Sequence, residues 1–226
     1  MAKQRVQVDA FVIGAFMVVT GVLVFMFPSL YVENENVRNV CAVIGFVFII
    51  FGALLRMSAR GYKKFASQQS SALVTGGPYK LVRNPMYLGT FLVGVGFMFP
   101  LFPLWTIAIF ALVFYFRFVI EIRKEQGFLS KSFGSSYDQY CKNVPAFIPT
   151  IKSIRSVTFK EVFSWKYLWT TKEKYGLLYW PLINGIFWFL QQQIFWGGMT
   201  YIPVIANSMI ALVILTWMIL CVLEKD

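Results

Sequence analysis

Histidine is absent from the chain, and acidic residues are scarce, with 10 Asp and Glu against 21 Lys and Arg. The first absence removes the commonest general base and the commonest metal ligand. Any chemistry here proceeds without imidazole. Three cysteines, Cys41, Cys141 and Cys221, are far apart and share no metal-ligand spacing, so they read as packing thiols. Charge of either sign is thin. Charged residues make up 14% of the chain and hydrophobic residues 58%, whereas a soluble domain carries about a quarter charged residues. That excludes an ordinary soluble domain and indicates an integral membrane protein. The net charge of +11 then reads as positive-inside topology and contact with anionic headgroups, not as a nucleic-acid footprint.

What the chain has instead is a series of apolar runs. The opening stretch MAKQRVQVDAFVIGAFMVVTGVLVFMF has too long an apolar core for a signal peptide, and no small-residue cleavage site follows. It reads as a first crossing over about 11–31. A second crossing is expected over about 40–55, followed by a basic segment from Arg56 to Pro85. Residues 86–116 carry no charge at all. A polar stretch covers 117–175, and two further crossings are expected over about 177–196 and 202–223. No internal repeat or low-complexity tract is present.

The uncharged span decides the topology. As one helix its 31 residues would run about 46 Å, against a hydrocarbon core of roughly 30 Å. Pro100 and Pro103, within FMFPLFPLW, do not both fit inside one straight helix. A hairpin of two helices over about 86–120 fits, with charged ends reaching the interface. It also puts both basic segments, 56–83 and 123–174, on one side, as the positive-inside rule requires. The fold expected is therefore all-α: a polytopic membrane bundle of about six transmembrane helices, both termini cytoplasmic. It belongs in the cell membrane, or in the endoplasmic reticulum of a eukaryote.

Two constellations stand where the polar and apolar segments meet. In GGPYKLVRNPMYLG, residues 76–89, GGP is a turn. Asn84 is a good N-cap and Pro85 a favoured first helical residue. Tyr79, Arg83 and Tyr87 remain. Interfacial tyrosines and snorkelling arginines are ordinary at a membrane boundary. An arginine beside free helix N–H groups also makes an anion site. In FRFVIEIRKEQGFL, Arg117, Glu121 and Glu125 stand at i, i+4 and i+8 on one helical face. That face is either solvated, with Arg123 and Lys124 compensating, or a site for a cationic ligand group.

Taken together, GGPYKLVRNPMYLG, the apolar hairpin and EQGFLSKSFGSSYDQYCKNVPAFIP resemble the isoprenylcysteine carboxyl methyltransferase and phospholipid methyltransferase superfamily. Its pattern reads roughly G-x-Y…R-H-P-x-Y-x-G, then E-E…F-G…Y…Y…P…I-P. The resemblance covers about 73–149. It divides the chain into N-terminal helices and basic link (1–72), a methyltransferase core (73–149), and a cytoplasmic link with two C-terminal helices (150–226). It implies methyl transfer from S-adenosyl-L-methionine to a lipid-like or prenylated acceptor, with membrane lipids as the surroundings and no nucleic acid.

The resemblance further implies a cofactor site of Gly76, Tyr79, Arg83, Asn84, Pro85, Tyr87, Gly89 and Glu125. Tyr137, Tyr140, Pro145 and Pro149 match its later positions. Arg117, able to pair with Glu121, is the candidate group for a carboxylate acceptor, and these two form the candidate catalytic pair. No metal is implied. Two departures are visible: Asn84 stands where the family has His, and Gln126 where it has a second Glu. Steroid 5-alpha-reductase relatives carry a similar R-H-P-N-Y-x-G-E motif and use NADPH, but Met86 and Thr90 replace that Asn and that Glu here. A membrane protein with a decayed, non-catalytic site is the third reading. Beyond the motifs, Asn184 and Asn207 are expected to hydrogen-bond between helices, and Gln191, Gln192 and Gln193 to mark the outer boundary.

Overall fold

In the computed structural model, residues 35–69 and 72–196 are described, together with Met26. Most of the first expected crossing and all of the last lie outside the described residues, as do Cys221, Asn207 and the side chains of Gln191, Gln192 and Gln193. The regular structure of the described residues is wholly helical.

The longest element is α1, Glu35–Gln69, 35 residues and about 52 Å at 1.5 Å per residue. Its stretch Asn39–Gln69 is the one helix among the described residues long and apolar enough to cross a membrane. It does not stop where the expected second crossing ends. RMSARGYKKFASQQ contains no proline, so the basic run continues the same rod and only then turns.

The expected hairpin is present. Its first arm, α3, is Pro85–Leu101, with Pro100 in its last turn. Its second arm, α4, is Thr106–Phe133 and runs past the expected end at about 120. Between them Phe102 is extended, and the Thr106 hydroxyl donates to the Pro103 carbonyl at 2.6 Å. The 17 residues of α3 fall just short of a roughly 20-residue crossing by themselves.

The arms of the hairpin touch each other less than α3 touches α1. The α1–α3 contact is seated on paired glycines. A Cβ on Gly52 would lie 2.6 Å from the Gly89 carbonyl oxygen, and one on Gly45 would lie 2.5 Å from that of Gly96. Small residues at matching levels let the two backbones close up, which is how helices gain packing where lipid removes the hydrophobic drive. Ile49, completely buried, sits between these seats against Gly96. Outward, α4 exposes Ile109, Leu112, Val113, Phe116 and Ile120, an apolar face.

The stretch expected only to be polar, 117–175, is mostly helical. After α4 come α5 (Ser135–Asn143), α6 (Ile151–Arg155), α7 (Phe159–Val162), α8 (Trp165–Leu168) and a 3-10 turn (Lys172–Tyr175). Thr150 and Thr158 start α6 and α7 with capping boxes to Ser153 and Glu161. These short helices matter because they pack back onto the motif. Leu55 of α1, Val82 and Leu88 of the motif region and Val162 of α7 form one buried cluster, with Leu92, Phe147 and Phe163 against it. Finally α9, Gly176–Trp196, contains Pro181 and packs on α1 and α3. Its Asn184 is fully buried. Neither polar atom of that side chain has a partner among the described residues, so the expected interhelical hydrogen bond is not found there.

Candidate functional site

The motif's first feature is a turn only glycine makes comfortably. Gly77 has φ +56°, the left-handed region that side chains avoid. Tyr62, from α1, packs against both glycines, its hydroxyl end at Gly76 and its ring at Gly77, where a Cβ would sit 2.7 Å from it. One turn of helix follows, α2 (Pro78–Leu81), then Val82, extended and completely buried. This plugs the loop into the core and leaves Arg83 and Asn84 as the crossing into α3.

Pro85 is the first residue of α3, as its chemistry predicts. Asn84 precedes it but makes no side-chain cap. Its Nδ2 instead donates to the Ala146 carbonyl at 2.8 Å. The start of α3 is therefore left without a side-chain cap, and the asparagine serves as a brace to the later half of the pattern. Two more braces run between the same segments. The Arg83 amide donates to the Pro145 carbonyl at 2.8 Å. The Tyr140 hydroxyl donates to the Tyr79 carbonyl at 2.6 Å. Residues 137–146 thus clamp residues 79–84 from one side.

Arg83 is held by this clamp. Its Nη1 donates to Cys141 Sγ at 2.7 Å, while its Nε is buried without a hydrogen-bond partner. A buried, unpaired guanidinium N–H is costly unless something accepts from it. Tyr137 is buried beside the same pair. Burial pushes its phenol above the usual tyrosine range and the thiol of Cys141 adds to this, while Arg83 opposes it. Tyr79 is raised as well, by burial first and then by the carboxylate of Glu125, with Arg60 opposing. Burial also raises Tyr140. All three phenols stay protonated across any physiological pH.

Glu125 lies 42 residues beyond Arg83 and across the hairpin, yet it comes back to the α1 extension that carries Tyr62. Glu125 is partly exposed, with Lys63 Nζ at 4.0 Å. Glu121, one turn earlier on α4, lies 3.6 Å from Arg117 and 3.4 Å from Lys124. Arg117 also stands 5.8 Å over the Phe118 ring. Tyr87 meets Phe118 edge-on at 5.1 Å. Phe118 stacks on Phe114 at 4.1 Å, and Phe91 and Phe147 close the group. These rings bridge the two hairpin arms next to the motif's Tyr87.

The structure thus gathers Gly76, Tyr79, Arg83, Asn84 and Pro85 in one braced loop and brings Glu125 to Lys63, the residue after the Tyr62 that packs on that loop. Tyr87, Arg117 and Glu121 stand along the adjoining aromatic seam. Gly89 is turned elsewhere, onto Gly52 and the stem of Arg56. Several contributors escaped the sequence reading. Cys141 is not merely a packing thiol, and no spacing marked it as a partner of Arg83. Tyr62 reaches the loop from the helical extension of α1, a stretch whose sequence reads only as a basic link. Glu173, from the 3-10 turn, holds Arg56 through Nε at 3.2 Å and Nη2 at 3.1 Å and Arg60 at 2.5 Å. Arg56 in turn donates to the Thr90 hydroxyl on α3.

A family model described as phospholipid methyltransferase matches residues 37–136. The nickel-cobalt-cadmium resistance protein NccN of Alcaligenes xylosoxydans xylosoxydans is 38% identical over 93 residues, 40% of this chain and 42% of that protein. The protein-S-isoprenylcysteine O-methyltransferase of Schizosaccharomyces pombe is 34% identical over 112 residues, 46% of this chain and 48% of that protein. Protein-S-isoprenylcysteine O-methyltransferase A of Arabidopsis thaliana is 30% identical over 136 residues, 57% of this chain and 66% of that protein. The chain spans about half the length of the first two of these curated relatives. No solved structure matches.

Proposed function

The chain is a family-level match to the phospholipid and isoprenylcysteine methyltransferases, and on that premise we propose that it transfers a methyl group from S-adenosylmethionine to a lipophilic acceptor. One observation carries the site assignment. Arg83 is fixed by Cys141 and the Pro145 carbonyl, yet keeps a buried Nε with no acceptor, beside a helix start that has no side-chain cap. That is a donor set suited to a carboxylate, and the cofactor's amino-acid end carries one.

When bound, S-adenosylmethionine supplies a methyl group on a sulfonium, already activated for in-line displacement. The work left to the chain is positioning and exclusion of water. In this reading Arg83 and the start of α3 hold the carboxylate. Glu125 accepts from the ammonium or a ribose hydroxyl. Tyr79 and Tyr140, kept neutral by burial, hold the loop rigid without adding charge. Asn84 preserves the brace to Ala146 that fixes the loop, so its replacement of the family's His leaves the site assembled. The rings of Tyr87, Phe91, Phe114, Phe118 and Phe147 keep water from the seam and offer a cation a π surface. An acceptor entering sideways from the lipid passes Arg117, which orients a carboxylate acceptor while Glu121 sets the direction of its guanidinium. Carboxyl O-methylation is the reaction type this pair favours. The topology that goes with it is multi-pass, the site facing the cytoplasm.

The test is calorimetry on the purified protein with S-adenosylmethionine and, separately, with NADPH. Binding of the first is expected, weakened at least tenfold in Arg83→Gln and less in Glu125→Ala. Binding of NADPH alone, or of neither, overturns the proposal. Membranes given methyl-labelled cofactor then show whether label enters lipid, protein or a small product.

A further inference from the structure

The segment from Ile148 to Trp169 lies outside the stretch matched by the family model and has no part in the site above. Its three one-turn helices repeat one arrangement. Each turns a single residue to the core: Ser153 in α6, Val162 in α7, Leu168 in α8. Each turns large apolar side chains outward. Ile151 is 71% exposed, Phe159 70% and Trp165 73%, with Ile154 and Trp169 beside them. The rings of Trp165 and Trp169 stack at 5.7 Å on the outside of α8. Cations alternate with these apolar groups along the chain, Lys152 and Arg155 in α6 and Lys160 in α7, while Lys166 of α8 turns back over the Phe65 ring of α1 at 4.4 Å. The segment's one carboxylate, Glu161, is turned away to Lys80 and to its own cap.

Exposed apolar groups in this number are not at rest in water, and the alternation with lysine and arginine matches neither a core nor a solvated face. It matches an interfacial helix, whose apolar groups enter the headgroup boundary while cations meet lipid phosphates. Lipid is also adjacent, since α1 carries a membrane-length apolar stretch and α9 starts soon after α8 with Leu178 exposed. We propose that the outer face of 148–169 is a docking surface for the anionic leaflet of the membrane, selecting anionic over zwitterionic phospholipid. The segment sets Lys152, Arg155 and Lys160 against the single carboxylate of Glu161, which is paired with Lys80, so the choice of headgroup charge follows from its cationic excess.

The experiment uses the full chain in nanodiscs of mixed phosphatidylglycerol and phosphatidylcholine, with only one of the two lipids brominated at a time. The fluorescence lost on comparing the native protein with W165F/W169F isolates the emission of that pair. Quenching of that share is expected to be several-fold stronger from brominated phosphatidylglycerol than from brominated phosphatidylcholine at equal mole fraction. High salt applied to the native protein, or K152E/R155E/K160E, is expected to remove the difference and leave both quenchings equal. Equal quenching in the native protein at low salt overturns the selection of anionic lipid. Quenching by neither lipid overturns the docking altogether, and points to water, a protein partner or a second copy against this face. None of these outcomes depends on methyl transfer or on cofactor binding.

Discussion

Glu173→Gln isolates the bond between the C-terminal part of the chain and α1. Glu173 is 14% exposed and accepts from Arg56 and Arg60 at once; Arg56 is 22% exposed and Arg60 53%. Removing one partner from a fully buried pair costs about 3–5 kcal/mol, because the other charge is left uncompensated. Arg60 reaches water and Gln keeps one acceptor oxygen, so the loss expected is lower, about 2 kcal/mol. At about 2–4 °C per kcal/mol for a chain of this size, Tm falls by about 4–8 °C. The pH dependence follows from the direction of the shift. Burial alone would raise the Glu173 pKa, but Arg56 and Arg60 outweigh it and hold the carboxyl below its usual range. A depressed folded pKa means stability present above the ordinary carboxylate pKa of about 4.3 and lost as pH falls through the folded value. Thermal unfolding in detergent, followed for both proteins from neutral to acid pH, should give two curves that converge at the acid end. A variant as stable as the native chain at neutral pH, or a gap that does not narrow on acidification, refutes the reasoning.

Three further outcomes are expected. Gly89→Ala drives a Cβ into the Gly52 carbonyl and the Arg56 stem and costs about 1–3 kcal/mol, whereas Gly127→Ala, with nothing within 4 Å, gains about 0.5–1 kcal/mol; parallel melting curves show both signs. Tyr140→Phe loses the bond to the Tyr79 carbonyl, about 1 kcal/mol, and weakens cofactor affinity through the loop. Raised folded pKa values at Tyr79, Tyr137 and Tyr140 contribute stability that is complete below the ordinary tyrosine value near ~10 and is lost as pH climbs through the folded values, so alkaline unfolding should be shallower in Tyr140→Phe. Arg117→Ala is expected to abolish transfer to a carboxylate acceptor with cofactor binding intact, read by comparing calorimetry with labelled-methyl incorporation.

Much of the hairpin was legible because its determinants are local. An uncharged stretch too long for one crossing, with two prolines at its middle, leaves few ways to fold. Pro85 at the head of α3 follows from the same local chemistry. Asn84 shows the limit: its type suits a cap, but Ala146, 62 residues on, offers a carbonyl at the right place and wins the side chain. Cys141 was misread for a similar reason, since a thiol's role depends on its neighbour and Arg83 arrives only through the clamp. The motif puts Gly89 among the cofactor-site residues, whereas its close neighbour in the fold is Gly52 on α1, which no spacing within the motif reveals. The end of α1 was set too early because hydropathy reports where lipid ends, and a helix free of proline continues past that point.

Composition and the run of apolar residues alone determined that the chain is helical and membrane-associated and that its basic segments flank a hairpin. Those properties follow from period, length and side-chain type, all encoded locally. Tertiary structure alone decided that residues 137–146 clamp the arginine loop, that Tyr62 wedges its glycines, and that Glu173 ties two arginines of α1 to the far end of the chain. These are choices among partners distant in sequence, fixed by which surfaces can close on one another without leaving a buried polar group alone.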